Sequence, residues 1–136
     1  MAEDVITNVL RNARTIAVIG LSNDPMRPSY GVTEYMQRQG YRIIPVNPSV
    51  PEILGEKSYA KLSDIPGKID IVDVFRRPEA VPEIVDEVIA LKLPVIWLQE
   101  SVVHDEAAEK ARNAGVTVIM DKCILKEHYA RRSQLG

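Results

Sequence analysis

Five short apolar runs, separated by longer amphipathic stretches, constrain this chain more than any other feature of its sequence. The runs are rich in β-branched residues and are apolar at nearly every position, which is typical of strands buried on both faces of a parallel sheet. They cover residues 15–19, 42–46, 69–74, 94–98 and 116–120. Because strands alternate with helical patterns, we expect βαβ units with right-handed crossovers.

The stretches between the runs carry helix patterns with recognisable ends. The predicted helices cover residues 3–11, 30–39, 78–91, 104–113 and 125–132. Ser29 and His104 stand at N-cap positions, Pro78 stands at a first helical position, and Gly40 is a natural stop. A short extra strand is expected near residues 57–60. We therefore predict an α/β fold, a Rossmann-like doubly wound and mainly parallel sheet of five to six strands with helices on both faces.

Length and charge narrow the class of protein. The 136 residues fit a single domain over residues 1–136, and the net charge of −2 argues against general nucleic-acid binding. No apolar run approaches the roughly 20 residues that cross a bilayer. The single cysteine, Cys123, and an acidic N-terminus without a signal-peptide pattern lead us to expect a cytoplasmic protein.

The loop after the first strand has the residues for an anion site. In open α/β sheets, ligands bind beyond the carboxyl ends of the strands. Gly20 and Leu21 begin this loop, and Gly20 permits a positive φ or a close backbone approach. Ser22 offers a hydroxyl, Arg27 a positive charge, and the next helix its unpaired N–H groups. An ordinary βα turn with a glycine at its bend is the competing interpretation.

Two missing signatures narrow the choice of ligand. The loop lacks the full Gly-x-Gly-x-x-Gly pattern of dinucleotide sites and the Gly-Lys-Ser/Thr pattern of phosphate loops. Asn47 and Pro48 stand where an NAD site usually has an acidic residue for the ribose. Coenzyme A (CoA) needs neither signature. It needs donors around a pyrophosphate and a channel for its extended pantetheine arm.

Phe75, Arg76 and Arg77 follow the third of the five runs, where guanidinium groups suit bidentate contacts to phosphate. In the competing interpretation Phe75 fills the core, and the arginines are solvated or pair with Glu79. Gln99 at the end of the next strand suits a polar contact to a pantetheine amide. Trp97 either lines the ligand site or belongs to the core.

No catalytic or metal-binding constellation stands out. Neither histidine lies in a nucleophile-elbow pattern, and Cys123 with His128 makes a weak metal pattern. We therefore expect no catalytic and no metal-ligating residues. Cys123 after the last strand raises the hypothesis of a mixed disulfide with CoA under oxidising conditions. The alternative is a small buried hydrophobe.

The motifs, taken in order, resemble those of the small stand-alone CoA-binding proteins related to the nucleotide-binding domain of the succinyl-CoA synthetase α subunit. The resemblance extends over about residues 6–128. Its matching stretches are residues 16–22, 27–29, 40–48, 54–56, 71–78, 97–99 and 120–123.

This resemblance implies a Rossmann-like domain that holds CoA or an acyl-CoA across the loop of residues 20–22. Asn47 and Pro48 would then lie near the adenosine, while the strand ends at residues 75–77 and 97–99 line the rest. Family members commonly carry glycine where this chain has Ser101. The catalytic histidine of the synthetase lies in a separate domain that this chain lacks, so we expect no acyl-CoA synthesis by the chain alone.

Two other functions stay open at this point. The same crevice could serve an NAD(P)-dependent redox or regulatory module. Alternatively, the scaffold has lost its ligand and acts as an interaction subunit. A homodimer or an unknown protein partner stays open for each of these functions.

Overall fold

All five predicted strands form, and they pair in one parallel sheet. The computed structural model describes residues 4–135. In chain order the strands are β1 (Thr15–Ile19), β2 (Arg42–Val46), β3 (Glu52–Ile53), β4 (Glu56–Lys57), β5 (Ile71–Val74), β6 (Val95–Leu98) and β7 (Thr117–Ile119). The main sheet has the order β2-β1-β5-β6-β7, and β3 with β4 forms a separate antiparallel ribbon. The strand order reverses between β1 and β5, which is the switch point of a doubly wound sheet.

The helices cover both faces of this sheet. They are α1 (Val5–Asn12), α2 (Pro28–Arg38), α3 (Val81–Ala90), α4 (Asp105–Asn113), α5 (Ile124–Ala130) and α6 (Arg132–Leu135). A short 3-10 helix, Pro78–Ala80, precedes α3. The prediction for His104 is confirmed, because its Nδ1 accepts the Ala107 N–H at 3.1 Å at the start of α4.

The prediction that Ser29 caps α2 is wrong. The helix begins one residue earlier, at Pro28, and Arg27 is its N-cap. Pro28 carries no N–H and has its φ already set for a helix, so it suits the first helical position. Ser29 therefore lies within the first turn, which leaves its hydroxyl to contact the loop after β1.

Side chains that alternate along the strands enter two separate cores. Ala17 and Ile19 of β1 pack with the cluster that includes α3 and α4. Ile16 and Val18 pack with the cluster that includes Leu10 of α1, together with residues of α2 and α5. This division decides which strand residues face α5 and which face α3.

The expected extra strand near residues 57–60 is reduced to a single parallel bridge between Tyr59 and Val46. The Tyr59 N–H donates to the Pro45 carbonyl at 3.0 Å, and the Asn47 N–H donates to the Tyr59 carbonyl at 2.9 Å. Pro45 offers no N–H at this outer edge of β2, so a longer ladder lacks a donor there. Within residues 4–135, no helix is long and apolar enough to span a membrane.

Candidate functional site

A cleft of about 920 Å³ opens at the carboxyl ends of β1, β2, β5 and β6. It gathers ten of the eleven residues that the sequence singled out. These are Gly20, Leu21, Ser22, Arg27, Asn47, Pro48, Phe75, Arg76, Arg77 and Gln99. The four loops that supply them are far apart in sequence and meet because parallel strands all end at one edge of the sheet.

Gly20 is required by the protein's own backbone. Its φ is +82°, and a Cβ placed there would lie 2.2 Å from the carbonyl oxygen of Phe75. The loop after β1 therefore packs directly on the end of β5. A glycine at this position lets the two strand ends pack together, whether or not a ligand is bound.

The loop after β1 is ordered by hydrogen bonds within the loop and to the first turn of α2. The Ser22 N–H donates to Ser29 Oγ at 3.0 Å, and the Asp24 N–H donates to Ser22 Oγ at 3.0 Å. Asp24 Oδ1 accepts the Met26 N–H at 2.9 Å. Since both serine oxygens accept these bonds, each hydroxyl retains its proton for donation to another group. Both serines line the cleft, so two hydroxyl donors are available at its wall.

Sequence reasoning missed Ser29 as a cleft residue. Its side chain is buried against the loop, at the first turn of α2. The sequence offered one signal for this. If Pro28 begins the helix, then Ser29, which follows it directly, lies in the first helical turn. The N-terminus of α2 thus adds its partial positive charge beside these hydroxyls.

Asn47 holds two loops together. Its Nδ2 donates to the Leu21 carbonyl at 3.0 Å, and its Oδ1 accepts the Ser49 N–H at 2.8 Å. The side chain therefore fixes the loop after β2 against the loop after β1. Pro48 follows as an exposed wall of the cleft.

Three arginines surround the cleft without acidic partners. The side chains of Arg27, Arg76 and Arg77 are exposed and make no hydrogen bond or ion pair with any residue in the range 4–135. The alternative that Arg76 or Arg77 pairs with Glu79 is thus not observed. By contrast, the carboxylate of Glu100 at the far end is paired with Lys126 at 3.0 Å.

Trp97 does not line the cleft, which corrects that interpretation of the residue. Its side chain is fully buried in the core on the α5 side, and its Nε1 donates to the Lys122 carbonyl at 2.8 Å. Along a strand, alternate side chains face opposite sides. Trp97 and Gln99 are two residues apart, so they face the same side of the sheet. Trp97 lies in the core under α5, whereas Gln99, beyond the strand end, lines the cleft. Phe75 is half-buried and also lines the cleft.

Gln99 lines the cleft and also reaches a buried acid. Its Nε2 donates to Asp73 Oδ1 at 2.5 Å, and its Oε1 accepts the Ile124 N–H at 3.4 Å. Burial raises the pKa of Asp73 to about 7, opposed by the hydrogen bond from Gln99. Sequence reasoning missed Asp73, although an aspartate inside an apolar run is itself a signal of a special contact.

A smaller cavity of about 380 Å³ adjoins the cleft on the α3 side. It shares Val46, Pro48 and Arg76 with the cleft. Its lining combines apolar residues such as Ile19 with charged residues such as Glu87. This cavity extends the space at the carboxyl ends of the strands toward α3.

Cys123 and His128 both belong to the packed interior and not to the cleft. Cys123 is buried at the start of α5 and is not among the residues that line the cleft, which favours the small buried hydrophobe. His128 Nδ1 lies 2.9 Å from Tyr35 Oη, and burial lowers the pKa of this histidine. Across residues 4–135, no group of three or more His, Cys, Asp or Glu side chains is placed to hold a metal ion.

Ser101 has a backbone conformation that favours glycine. Its φ is +71°, and its N–H donates to Asp121 Oδ1 at 2.7 Å. The left-handed region costs an ordinary residue roughly 1–2 kcal/mol. Ser101 therefore carries a backbone strain that glycine would not have, and it lines the cleft.

The fold and the cleft define a class, a Rossmann-like α/β domain with a cleft lined by three arginines at its topological switch point. Residues 14–129 match the family model described as a CoA binding domain. The chain belongs to this family.

The chain is also similar to several known proteins in sequence and structure. The uncharacterized protein YneT of Bacillus subtilis is 46% identical over 123 residues, which cover 90% of this chain and 91% of that protein. A solved structure from Thermus thermophilus is 39% identical, covers 96% of this chain and 98% of its own, and has a TM-score of 0.89. The α subunit of an ADP-forming acetate–CoA ligase II from Pyrococcus furiosus is 43% identical over 61 residues. That match covers 44% of this chain and only 13% of the ligase subunit.

Proposed function

We propose that the cleft binds CoA or an acyl-CoA and that the chain has no catalytic activity of its own. The observation that carries this proposal is the set of three unpartnered guanidinium groups, Arg27, Arg76 and Arg77, around one cleft in a member of the CoA binding domain family. Without an anionic ligand, such a cluster of like charges is a source of repulsion. A pyrophosphate between them would neutralise it.

The groups that line the cleft suit the separate parts of an extended ligand. The hydroxyls of Ser22 and Ser29 and the first turn of α2 would receive phosphate oxygens. Asn47 is already bonded to the loop carbonyl of Leu21, so we assign it a positioning role beside the adenosine. The pantetheine arm would then follow the wall formed by Phe75 and Gln99.

The absence of catalysis is part of the same proposal. His104 and His128 both use their Nδ1 atoms for contacts that hold helices in place. Cys123 is buried apart from the residues of the cleft. A cytoplasmic location also belongs to this proposal, because a reduced lone cysteine suits that compartment.

The direct test is calorimetry of the purified protein with CoA, acetyl-CoA and NADPH, each at two salt concentrations. We expect CoA to bind and NADPH to bind weakly or not at all. Binding of NADPH alone would favour a redox module, and binding of none of the three would favour an interaction subunit. Native mass spectrometry of the untreated protein would identify a retained ligand by its mass.

Single variants test the arginines. Arg76→Ala and Arg77→Ala should each weaken CoA binding by about tenfold, the loss typical of one charge-assisted hydrogen bond, and reduce its dependence on salt. Arg112→Ala is the matched control, because Arg112 is an exposed arginine on α4 that does not line the cleft. Unchanged affinity in both cleft variants would contradict the phosphate role.

A further inference from the structure

Asp73 is a carboxyl group buried in the sheet, one side chain away from the cleft. Its side chain is 2% exposed, and its neighbours across the sheet are Val18 on β1 and Trp97 on β6. Its Oδ1 accepts a hydrogen bond from Nε2 of Gln99, and Gln99 lines the cleft. A buried acid in contact with a ligand-site residue calls for an explanation beyond packing.

No charged group within residues 4–135 pairs with this carboxylate. Burial is the dominant influence on its pKa, while the hydrogen bonds from Gln99 and from the backbone of Val74 act in the opposite direction. The helices packed on this face contribute apolar side chains such as Met36 and Ile124. Tyr35 of α2 and the Cys123 and His128 side chains at α5 are not among the groups that shift the pKa of Asp73.

Gln99 is held in one orientation from both ends. Its Oε1 accepts from the backbone N–H of Ile124, so its Nε2 must be the atom that meets Asp73. A neutral Asp73 can keep accepting this bond on one oxygen while it carries a proton on the other. The geometry of Gln99 at the cleft therefore survives protonation, and what changes is one buried negative charge.

We propose that Asp73 is a proton-linked positioning residue: it holds Gln99 at the cleft and takes up a proton when an anionic ligand binds. This inference rests on the proposed function, in which the ligand is the polyanion CoA. The negative charge of a ligand in the cleft and that of an ionised Asp73, with the buried Gln99 between them, repel each other. Binding of the anion thus favours the neutral acid, and by linkage the neutral acid favours binding.

The expected consequence is an affinity that falls as pH rises through neutrality. If the ligand shifts the titration of Asp73 upward by about one unit, CoA binding weakens by about five- to tenfold between pH 6 and pH 8.5. Ionisation of the ligand's own phosphates also contributes to the profile. That contribution is the same for every variant and cancels in a comparison.

The test is calorimetry with CoA from pH 6 to pH 8.5 for the wild type, Asp73→Asn and Asp86→Asn. The amide in Asp73→Asn would keep an oxygen for Gln99 but cannot ionise, so this variant should lose the excess pH dependence. Asp86 is an exposed carboxylate on α3 paired with Lys110, and its variant should behave as the wild type. Repeating the wild-type titration in buffers of different ionisation enthalpy counts the protons taken up on binding.

Each outcome decides between the two proposals. Equal pH dependence in the wild type and Asp73→Asn would overturn the role of Asp73 and leave CoA binding intact. No CoA binding at any pH would overturn both. If Asp73→Asn does not fold, NMR of the labelled wild-type carboxyl decides instead: the midpoint of Asp73 must rise when CoA is added, and an unmoved midpoint refutes the inference.

Discussion

Replacing Gly20 by alanine is the sharpest test of how the cleft is built. The new Cβ would lie 2.2 Å from the Phe75 carbonyl oxygen, whereas real Cβ atoms essentially never approach within 3.0 Å. The two strand ends must therefore separate by about 0.8 Å, against the hydrogen bond from the Phe75 N–H to the Ile19 carbonyl at 2.8 Å. Overpacking of this kind costs roughly 1–3 kcal/mol. The left-handed conformation adds roughly 1–2 kcal/mol, partly offset by about 0.4–1 kcal/mol from the stiffer unfolded chain.

We thus expect Gly20→Ala to lower the free energy of unfolding by about 2–4 kcal/mol. Gly67→Ala is the matched control, because Gly67 has a φ of +86° and a Cβ there meets nothing within 4 Å. The control should lose about 1 kcal/mol or less. Urea unfolding followed by circular dichroism measures both values. If the two variants lose equal stability, the contact between Gly20 and Phe75 does not hold the strand ends as argued.

Three further variants test other parts of the molecule. Ser101→Gly relieves the left-handed strain, and we expect a gain of about 0.5–1 kcal/mol in urea unfolding if its N–H keeps the bond to Asp121; a loss would contradict this. Asp73 has a folded pKa raised to about 7 from 3.8, so the folded state keeps a proton that the unfolded state releases. The free energy of unfolding of the wild type should therefore fall by on the order of 4 kcal/mol as the pH rises from about 4 to 7. Asp73→Asn should remove this dependence in unfolding curves recorded at a series of pH values. Trp97→Phe leaves the Lys122 carbonyl without its donor and should cost about 1–3 kcal/mol, measured by thermal unfolding, whereas an unchanged midpoint would refute the role of that bond.

Periodicity predicted the fold because it is a local property of the chain. Runs of β-branched residues bounded by turn residues identified all five strands of the sheet, and the switch-point rule then selected the loops that line the cleft. Helix ends were predicted less accurately. The start of α2 was misplaced because Pro28 and Ser29 are both good residues for a helix start, and only the backbone decides which position each takes.

The direction in which a strand residue faces was not predictable from its own strand. Trp97 and its neighbours on β6 are all apolar, so their pattern does not show which of them face the core under α5 and which face the core under α3. For the same reason, the sequence did not reveal that Asp73 contacts Gln99, which lies 26 positions later in the chain. The short extra strand near Tyr59 failed to extend because Pro45 on the partner strand lacks an N–H, and the sequence did not reveal that these two residues meet.

The sequence by itself determined the alternation of strands and helices, the edge of the sheet where a ligand site belongs, and the cationic and glycine-containing loops at that edge. These depend on local periodicity and on a topological rule that holds for all such sheets. The tertiary structure alone decided that Gly20 packs on Phe75, that Ser29 bonds the loop, and that Gln99 connects the cleft to a buried acid. Such contacts join residues that are distant along the chain, and they arise only when strand order and side-chain direction are both set.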